Sequence, residues 1–377
     1  MTHAWRERWA DWRNRKLQDP KFQYWASKFP LTRARSRREA REIFDLVAGF
    51  IYSQTLLALV RSQVLQTLRA GPSRERPLKS LLNMSDDAAN TLLKAGAALD
   101  LLAHRPPDRW ALGSKGAALL GNPGVLAMIE HHAVLYQDLV DPLALLRGAR
   151  GDTRLARYWP YATHHAPGQS PLEGVANYTQ LMAASQGLVA AEILDAYDFS
   201  GHRCVLDVGG GDGSFLRSVR ARHASVALQL FDLPAVIEVA SERLGDTGIT
   251  LYRGDFTSDE LPTGADLITL VRILHDHDDD RALQLLRAIR RVVPETGTLL
   301  IAEPLAQTPG AERMGHPYFG FYLFAMGSGR PRTIKEIGEL LEKAGFSRPR
   351  AYPTHIPLQT SVLAARPVRQ AFTTNSV

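Results

Sequence analysis

The chain has 377 residues, 45% of them hydrophobic and 22% charged, with a formal net charge of +6 and one cysteine. This length allows two or three domains with real cores, and the composition excludes a disordered, collagen-like or disulfide-stapled chain. A lone thiol and a polar N-terminus without an apolar signal core fit a reducing, cytoplasmic setting.

The charge is uneven. Residues 1–45 hold twelve Lys/Arg against six Asp/Glu, which leaves the remainder neutral overall. A basic arm is therefore expected, not a basic groove, and no nucleic-acid partner. The arm, residues 1–40, also holds four of the six tryptophans. Trp5, Trp9 and Trp12 share one helical face, with Arg6, Arg8, Arg13 and Arg15 interleaved. That pattern suits a helix on a membrane surface, and equally one packed on its own protein or on a dimer partner. Phe29-Pro30 ends the helical segment.

Residues 41–70 read as helix, with an apolar face through Phe44, Val47, Phe50, Ile51 and Leu57. The apolar stretch 46–60 is interrupted by Ser53 and Gln54 and is too short to span a bilayer. Residues 77–120 predict a helix from Leu78, a second from Ala88 capped by Ser85-Asp86-Asp87, a turn at Pro106-Pro107-Asp108 and a wing strand at Arg109–Leu112. This resembles a winged helix. Its second helix carries Lys94 and no arginine, so it reads as a packing or dimerisation element and not as a reader of bases. Residues 121–195 predict further helices and a Gly/Pro-rich loop at 160–171. Tyr178, Met182 and Gln186 form a stripe that serves either core packing or a pocket wall.

From Arg203 the pattern alternates strand and helix, the signature of a parallel doubly wound sheet. Cys204–Val208 predicts a buried strand, Gly209-Gly210-Gly211-Asp212-Gly213 a tight loop, and Phe215–Arg222 a helix facing it. The dinucleotide fingerprint requires glycine where Ser214 stands, which argues against a nicotinamide enzyme. The pattern is Asp-x-Gly-x-Gly-x-Gly, from Asp207 through Gly209 and Gly211 to Gly213. Asp232-Leu233 ends the next strand and places a carboxylate where both ribose hydroxyls can bond. Asp255-Phe256 follows the third strand, an acid for an adenine amine and a ring to stack on it. The fourth strand runs into Arg272 and His275-Asp276-His277, and the fifth ends at Glu303. His275 is the candidate base, Glu303 its orienting carboxylate and Asp276 a second polar neighbour. A metal set at His275–Asp278 is the weaker reading, because Asp278–Asp280 suit the acidic start of the next helix; no metal is expected.

The loop from Asp207 to Gly213, Phe231-Asp232-Leu233-Pro234, Gly254-Asp255-Phe256, Leu274-His275-Asp276 and Ala302-Glu303 together resemble the cation-independent class I O-methyltransferases related to plant caffeate methyltransferases. The resemblance covers residues 40–366. It implies S-adenosylmethionine as methyl donor and S-adenosylhomocysteine as product, His275 as base steadied by Glu303, and a homodimer formed through the helical N-terminal domain. It assigns Asp207, the three glycines, Asp232, Leu233, Asp255, Phe256 and Arg272 to the cofactor. Two departures stand out. Val271 occupies the position of a family lysine, and Pro331 stands where a second glutamate precedes the Arg-Thr pair, here Arg332-Thr333.

Within the family, the arm Phe22–Thr32, the segment Phe44–Gln54 and the His275-Asp276-His277 variant are most similar to bacterial methyltransferases of carotenoid synthesis. That implies an acyclic 1-hydroxy-carotenoid methylated at its tertiary hydroxyl, and a protein peripheral on the inner face of a bacterial photosynthetic membrane. Tyr318, Phe319, Tyr322 and Met326, with Tyr178 and Met182, would line the polyene site. A bacteriochlorophyllide or small phenol is the alternative acceptor, and a non-enzymatic winged-helix regulator the alternative of another class. The expected architecture is α/β: a basic arm (1–40), an all-α, winged-helix-like dimerisation domain (41–195), a Rossmann-like methyltransferase domain (196–366) and a tail (367–377).

Overall fold

The computed structural model describes residues 3–159 and 185–368, which divide into two compact units at 120/121. The first unit begins with α1 (His3–Leu17), α2 (Pro20–Lys28) and α3 (Arg33–Arg61). Asp19 caps α2 by accepting the Lys21 amide, and the helix stops at Phe29, before Pro30, as expected. α3 starts earlier than the expected helix 41–70 and ends earlier, at Arg61. The arginine-rich stretch 33–41 forms its N-terminal part, and the apolar remainder makes this 29-residue helix long and apolar enough to cross a membrane by length and composition only.

Gln63, at φ +60°, breaks the helix before α4 (Val64–Arg69). Next come β1 (Ser73–Arg74), α5 (Glu75–Leu82), α6 (Asp86–Ala98), β2 (Leu102–Arg105), β3 (Arg109–Leu112) and α7 (Ser114–Leu120). Ser85 caps α6 through the Ala88 amide, and β1-β3-β2 form a small antiparallel sheet. The helix–turn–helix–wing pattern is therefore present. Leu57, Leu59, Val60, Leu65, Leu78 and Leu93 make its core. The predicted apolar face of α3 is largely exposed within the chain: Phe44, Val47, Phe50 and Ile51 are out, and only Leu57 is buried.

The second unit opens with α8 (Pro123–Asp138), α9 (Pro142–Arg147), α10 (Arg154–Tyr158) and α11 (185–196). Tyr178, Met182 and the 160–171 loop lie outside the described residues. The remaining elements are β4 (Cys204–Val208), α12 (Ser214–Arg222), β5 (Ala227–Asp232), α13 (Pro234–Leu244), β6 (Ile249–Arg253), β7 (Leu267–Val271), α14 (Asp279–Val292), β8 (Thr298–Glu303), α15 (Phe321–Met326), α16 (Ile334–Lys343), β9 (Arg350–Tyr352) and β10 (Ser361–Ala365).

The sheet order is β6-β5-β4-β7-β8-β10-β9, parallel from β6 to β8. β10 joins β8 antiparallel, and β9 closes that edge. One face packs on α14 and α16 through Leu285, Leu286, Ile289, Ile337 and Leu341. The other packs on α11, α12 and α13 through Ile193, Phe215, Leu216, Val219 and Ile237. With both faces covered, strands such as Leu267–Val271 are buried throughout, which explains their unbroken apolar sequence.

Candidate active site

Parallel strands end on one edge, so the residues just past their carboxyl ends converge. After β4 the chain turns through Gly209, Gly211 and Gly213, at φ +73°, +62° and +75°, a region that only glycine enters freely. Gly210 is confined for another reason: a Cβ there would sit 2.3 Å from Oδ2 of Asp207. The loop thus folds over the Asp207 carboxylate. Oδ1 accepts the Thr269 hydroxyl at 2.6 Å, and Oδ2 is buried without a hydrogen bond. Burial pushes the pKa of Asp207 up to about 7, opposed by the Thr269 bond and aided by Asp232.

Asp232 binds the glycine loop to its neighbour strand. Its Oδ2 accepts the Gly211 amide at 2.8 Å and its Oδ1 the Leu233 amide at 2.7 Å. Burial raises its pKa to about 6 although both amides favour the anion. Asp255 spends Oδ1 on the amide and hydroxyl of Thr257, at 2.8 and 2.7 Å. A cavity opens over this edge, bordered by Gly209, Gly211, Asp232, Leu233, Asp255 and Phe256, and on its far side by Asp276, His277, Arg281 and Met326. The Phe256 ring meets the His277 ring edge-on at 5.2 Å, and the Arg281 guanidinium lies 5.8 Å over Phe256. Burial lowers the His277 pKa to about 4, so its imidazole is neutral.

These residues suit an adenosyl ligand. A Cβ-free surface at Gly211 faces open space, a carboxylate held by two backbone amides can accept two hydroxyls, and an aromatic ring beside a neutral imidazole offers a stacking wall.

Arg272 also adopts a left-handed conformation, φ +59°, and turns the chain out of β7 into a short 3₁₀ turn, Leu274–Asp276. Its guanidinium reaches Ser185 Oγ at 2.7 Å and Gln186 Oε1, both on α11. His275 is buried in the turn. Its Nε2 lies 3.1 Å from Asp276 Oδ1, and its Nδ1 lies 3.6 Å from Glu303 Oε2, just beyond hydrogen-bond range. The other oxygen of Glu303 accepts the amides of Ile273 (3.1 Å), Leu274 and His275 (3.3 Å). Glu303 therefore fixes the backbone of the turn as well as facing the ring. Burial works against the imidazolium, but the Asp276 and Glu303 carboxylates outweigh it and raise His275 to about 10.

Phe319 sits 5.6 Å from the His275 ring, in a cluster with Tyr318 and Tyr322. Both phenols are already engaged by α8: Tyr318 with His132 Nε2 and Tyr322 with His131 Nε2, each at 2.7 Å. Burial lowers both histidines, His131 to about 4, and raises the Tyr318 phenol. The pairs are neutral, so this wall is apolar in effect. Met326 borders the cofactor-side cavity.

Sequence reasoning missed His277 and Arg281 as cavity residues, and the α8 histidines. His277 stood in the quoted His275-Asp276-His277 string, which was its available signal. Among the described residues no three or more His, Cys, Asp or Glu side chains converge as a metal set. Two broader grooves, one beside Leu305–Pro309 and β9, the other over Arg287 and Arg348, hold none of the sequence-predicted residues.

A glycine loop, an acid at the end of the second strand and a buried histidine at the end of the fourth, on this strand order, define a class I S-adenosylmethionine-dependent methyltransferase. A profile for the O-methyltransferase domain matches residues 141–347, and the chain belongs to that family and is an S-adenosylmethionine-dependent O-methyltransferase. It is 42% identical over 352 residues to demethylspheroidene O-methyltransferase of Cereibacter sphaeroides, covering 92% of each chain. It is 42% identical over 340 residues to the protein of that name in Rhodobacter capsulatus, covering 90% of this chain and 85% of that one. Human N-acetylserotonin methyltransferase in complex with S-adenosylmethionine shares the fold, with a TM-score of 0.73 at 21% identity over 88% of this chain and 98% of that chain.

Proposed function

We propose that the protein methylates the tertiary hydroxyl of an acyclic 1-hydroxy-carotenoid, with His275 as the general base. The observation that carries this reading is the similarity to two demethylspheroidene O-methyltransferases along nearly the whole chain. The half-buried rings of Tyr318 and Phe319 support it, because Tyr318 spends its hydroxyl on His132 and presents an apolar surface, whereas Tyr322, bonded to His131 and 4% exposed, packs in the core behind them.

Bound S-adenosylmethionine supplies an electrophilic methyl group on a sulfonium centre. The protein's tasks are to hold it, align the hydroxyl behind the methyl, exclude water and take the hydroxyl proton. In this reading Gly209, Gly211 and Gly213 let the backbone approach the ligand, and Asp232 accepts the ribose hydroxyls. Phe256 and His277 flank the adenine, with Asp255 beside its amine. Asp207 supports the loop from below, and Arg272 secures the turn against α11. His275 takes the proton as the C–O bond forms, since a tertiary alcohol is too weak an acid to ionise first, and Glu303 and Asp276 stabilise the imidazolium.

The test is transfer of labelled methyl from S-adenosylmethionine to 1-hydroxy-carotenoids, a bacteriochlorophyllide and a catechol-type phenol. Label on the carotenoid is expected. Label on either of the others alone would overturn the substrate reading.

The first unit suggests how an enzyme of a bilayer-dissolved substrate works. On α1, Trp5, Trp9 and Trp12 are 53%, 48% and 52% exposed. Arg8, Arg13, Arg15 and Lys16 flank that stripe, while Glu7, Asp11 and Asn14 lie on the opposite face by helical phase. We assign this helix to an anionic lipid surface, with indoles among headgroups and guanidinium groups on phosphates, and the protein to the periphery of the inner membrane face. Removing residues 1–25 is expected to abolish co-sedimentation with phosphatidylglycerol vesicles; unchanged binding would remove the assignment. The exposed α3 face of Phe44, Val47, Phe50 and Ile51 is assigned to a second copy of the chain, which a monomeric sedimentation coefficient would exclude.

A further inference from the structure

The turn that carries His275 is gripped from outside by the segment 328–332. Four consecutive carbonyls of the turn each accept a hydrogen bond from it. Leu274 O accepts Arg332 Nη1 at 2.6 Å, and His275 O accepts the Arg330 amide at 2.9 Å. Asp276 O accepts Ser328 Oγ at 2.7 Å, and His277 O accepts Arg332 Nη2 at 2.7 Å. The fit is close: a Cβ at Gly329 would lie 2.0 Å from His275 O. On the inner side Glu303 holds the amides of residues 273–275. The turn is thus tied on both sides, by its N–H groups to β8 and by its C=O groups to this segment.

Arg332 is the centre of the grip. It is 1% exposed, and Asp279 Oδ1 meets its charge at 2.7 Å from Nη2 and 3.0 Å from Nε. Burying a guanidinium is costly, and stability alone is served as well by apolar packing. What a planar guanidinium offers is a fixed fork, here bridging the carbonyls before and after His275 and Asp276. A lysine ammonium has no such fork. The segment also follows directly from Met326, on the cavity wall, through Gly327 at φ +101°.

We infer that Arg332 is a positioning residue for methyl transfer: by bridging Leu274 O and His277 O it sets the His275 ring against Asp276 and Glu303. It acts through the turn and touches neither ligand. The inference rests on His275 as proton acceptor, but its main test needs no acceptor molecule.

That test follows the His275 imidazole by NMR in the full chain with S-adenosylhomocysteine, its signal identified by loss in His275→Gln. In folded Arg332→Lys the His275 titration is expected to fall by about one unit or more, as its distances to the two carboxylates lengthen. With an accepted alcohol, kcat is expected to drop about 10²-fold, the cost of roughly an ångström of misplacement, with the acceptor KM within about threefold. Guanidinium ion in the buffer should restore part of the activity of Arg332→Ala, whereas methylammonium should not. Ser328→Ala, which frees only Asp276 O, should move the titration in the same direction by less. A folded Arg332→Lys with an unmoved His275 titration overturns the inference. If Arg332→Lys does not fold, an unmoved titration in both Ser328→Ala and Asp279→Asn overturns it equally. A moved titration in a preparation that methylates no carotenoid would uphold the positioning role and reject the substrate instead.

Discussion

His275→Ala is expected to lower methyl transfer to a 1-hydroxy-carotenoid by about 10³–10⁴-fold, the upper end of what a positioned base contributes. The size follows from the acceptor. A phenol, with a pKa of about 10, is a far stronger acid than a tertiary alcohol, so the alcohol depends more heavily on a base in the transition state. S-adenosylhomocysteine affinity should change little, because Asp232, Phe256 and His277 line the cavity and His275 does not. Glu303 keeps its three amide donors in the variant, so the turn retains its inner anchor. Single-turnover rates with labelled S-adenosylmethionine, on a carotenoid and on a phenol, measure both dependences. Equal residual turnover on the two would count against the argument, and full turnover on either would remove His275 as base.

The edge on which these residues meet was legible because parallel strands buried on both faces leave an unbroken apolar pattern, and because glycine and acid positions mark where those strands end. The strand Cys204–Val208 has its predicted bounds, the four other parallel strands end where the sequence places their ends, and Asp207, Asp232, Asp255, His275 and Glu303 stand at or just past these carboxyl ends. Contacts between segments distant in sequence were not legible. Arg332 and Leu274 are bonded across 58 positions, and no local pattern announces it. The partners of Tyr318 and Tyr322 on α8 lie 186 and 191 positions away. The β9–β10 hairpin was missed since its strands are short and border prolines. The α3 face was read correctly as apolar, but a period of 3.6 says only that a face seeks cover and not whether its own chain supplies it.

Replacing Asp276 by asparagine should move the pH dependence of the reaction more than any other single change at the site. In the free protein both nitrogens of His275 face carboxylates, Nε2 at 3.1 Å from Asp276 and Nδ1 at 3.6 Å from Glu303. Against the cost of burial, these anions raise its pKa to about 10. A base works only when deprotonated, so kcat/KM in the wild type should climb with pH and level off only in the alkaline range. The amide of Asp276→Asn would carry no charge, and Glu303 alone would remain to favour the imidazolium. Removing a carboxylate at that distance lowers the apparent value by about 1–3 units, so the limb should move down toward neutrality by that amount. Stability should respond through the same linkage. Because the folded pKa exceeds the unfolded value of roughly 6.5, the stabilisation is fully present below that pH and is lost as pH rises toward 10. Urea unfolding of the wild type between pH 6.5 and 10 should therefore show falling stability, and Asp276→Asn should flatten that slope by the protons it no longer binds. The substituted side chain still offers an amide oxygen to Nε2–H, so the ring need not leave its place, and a change in slope without a change in S-adenosylhomocysteine affinity would isolate the charge. A variant whose kinetic limb and stability slope both match the wild type would show that Asp276 does not set the protonation of His275, and would leave Glu303 as the group that does.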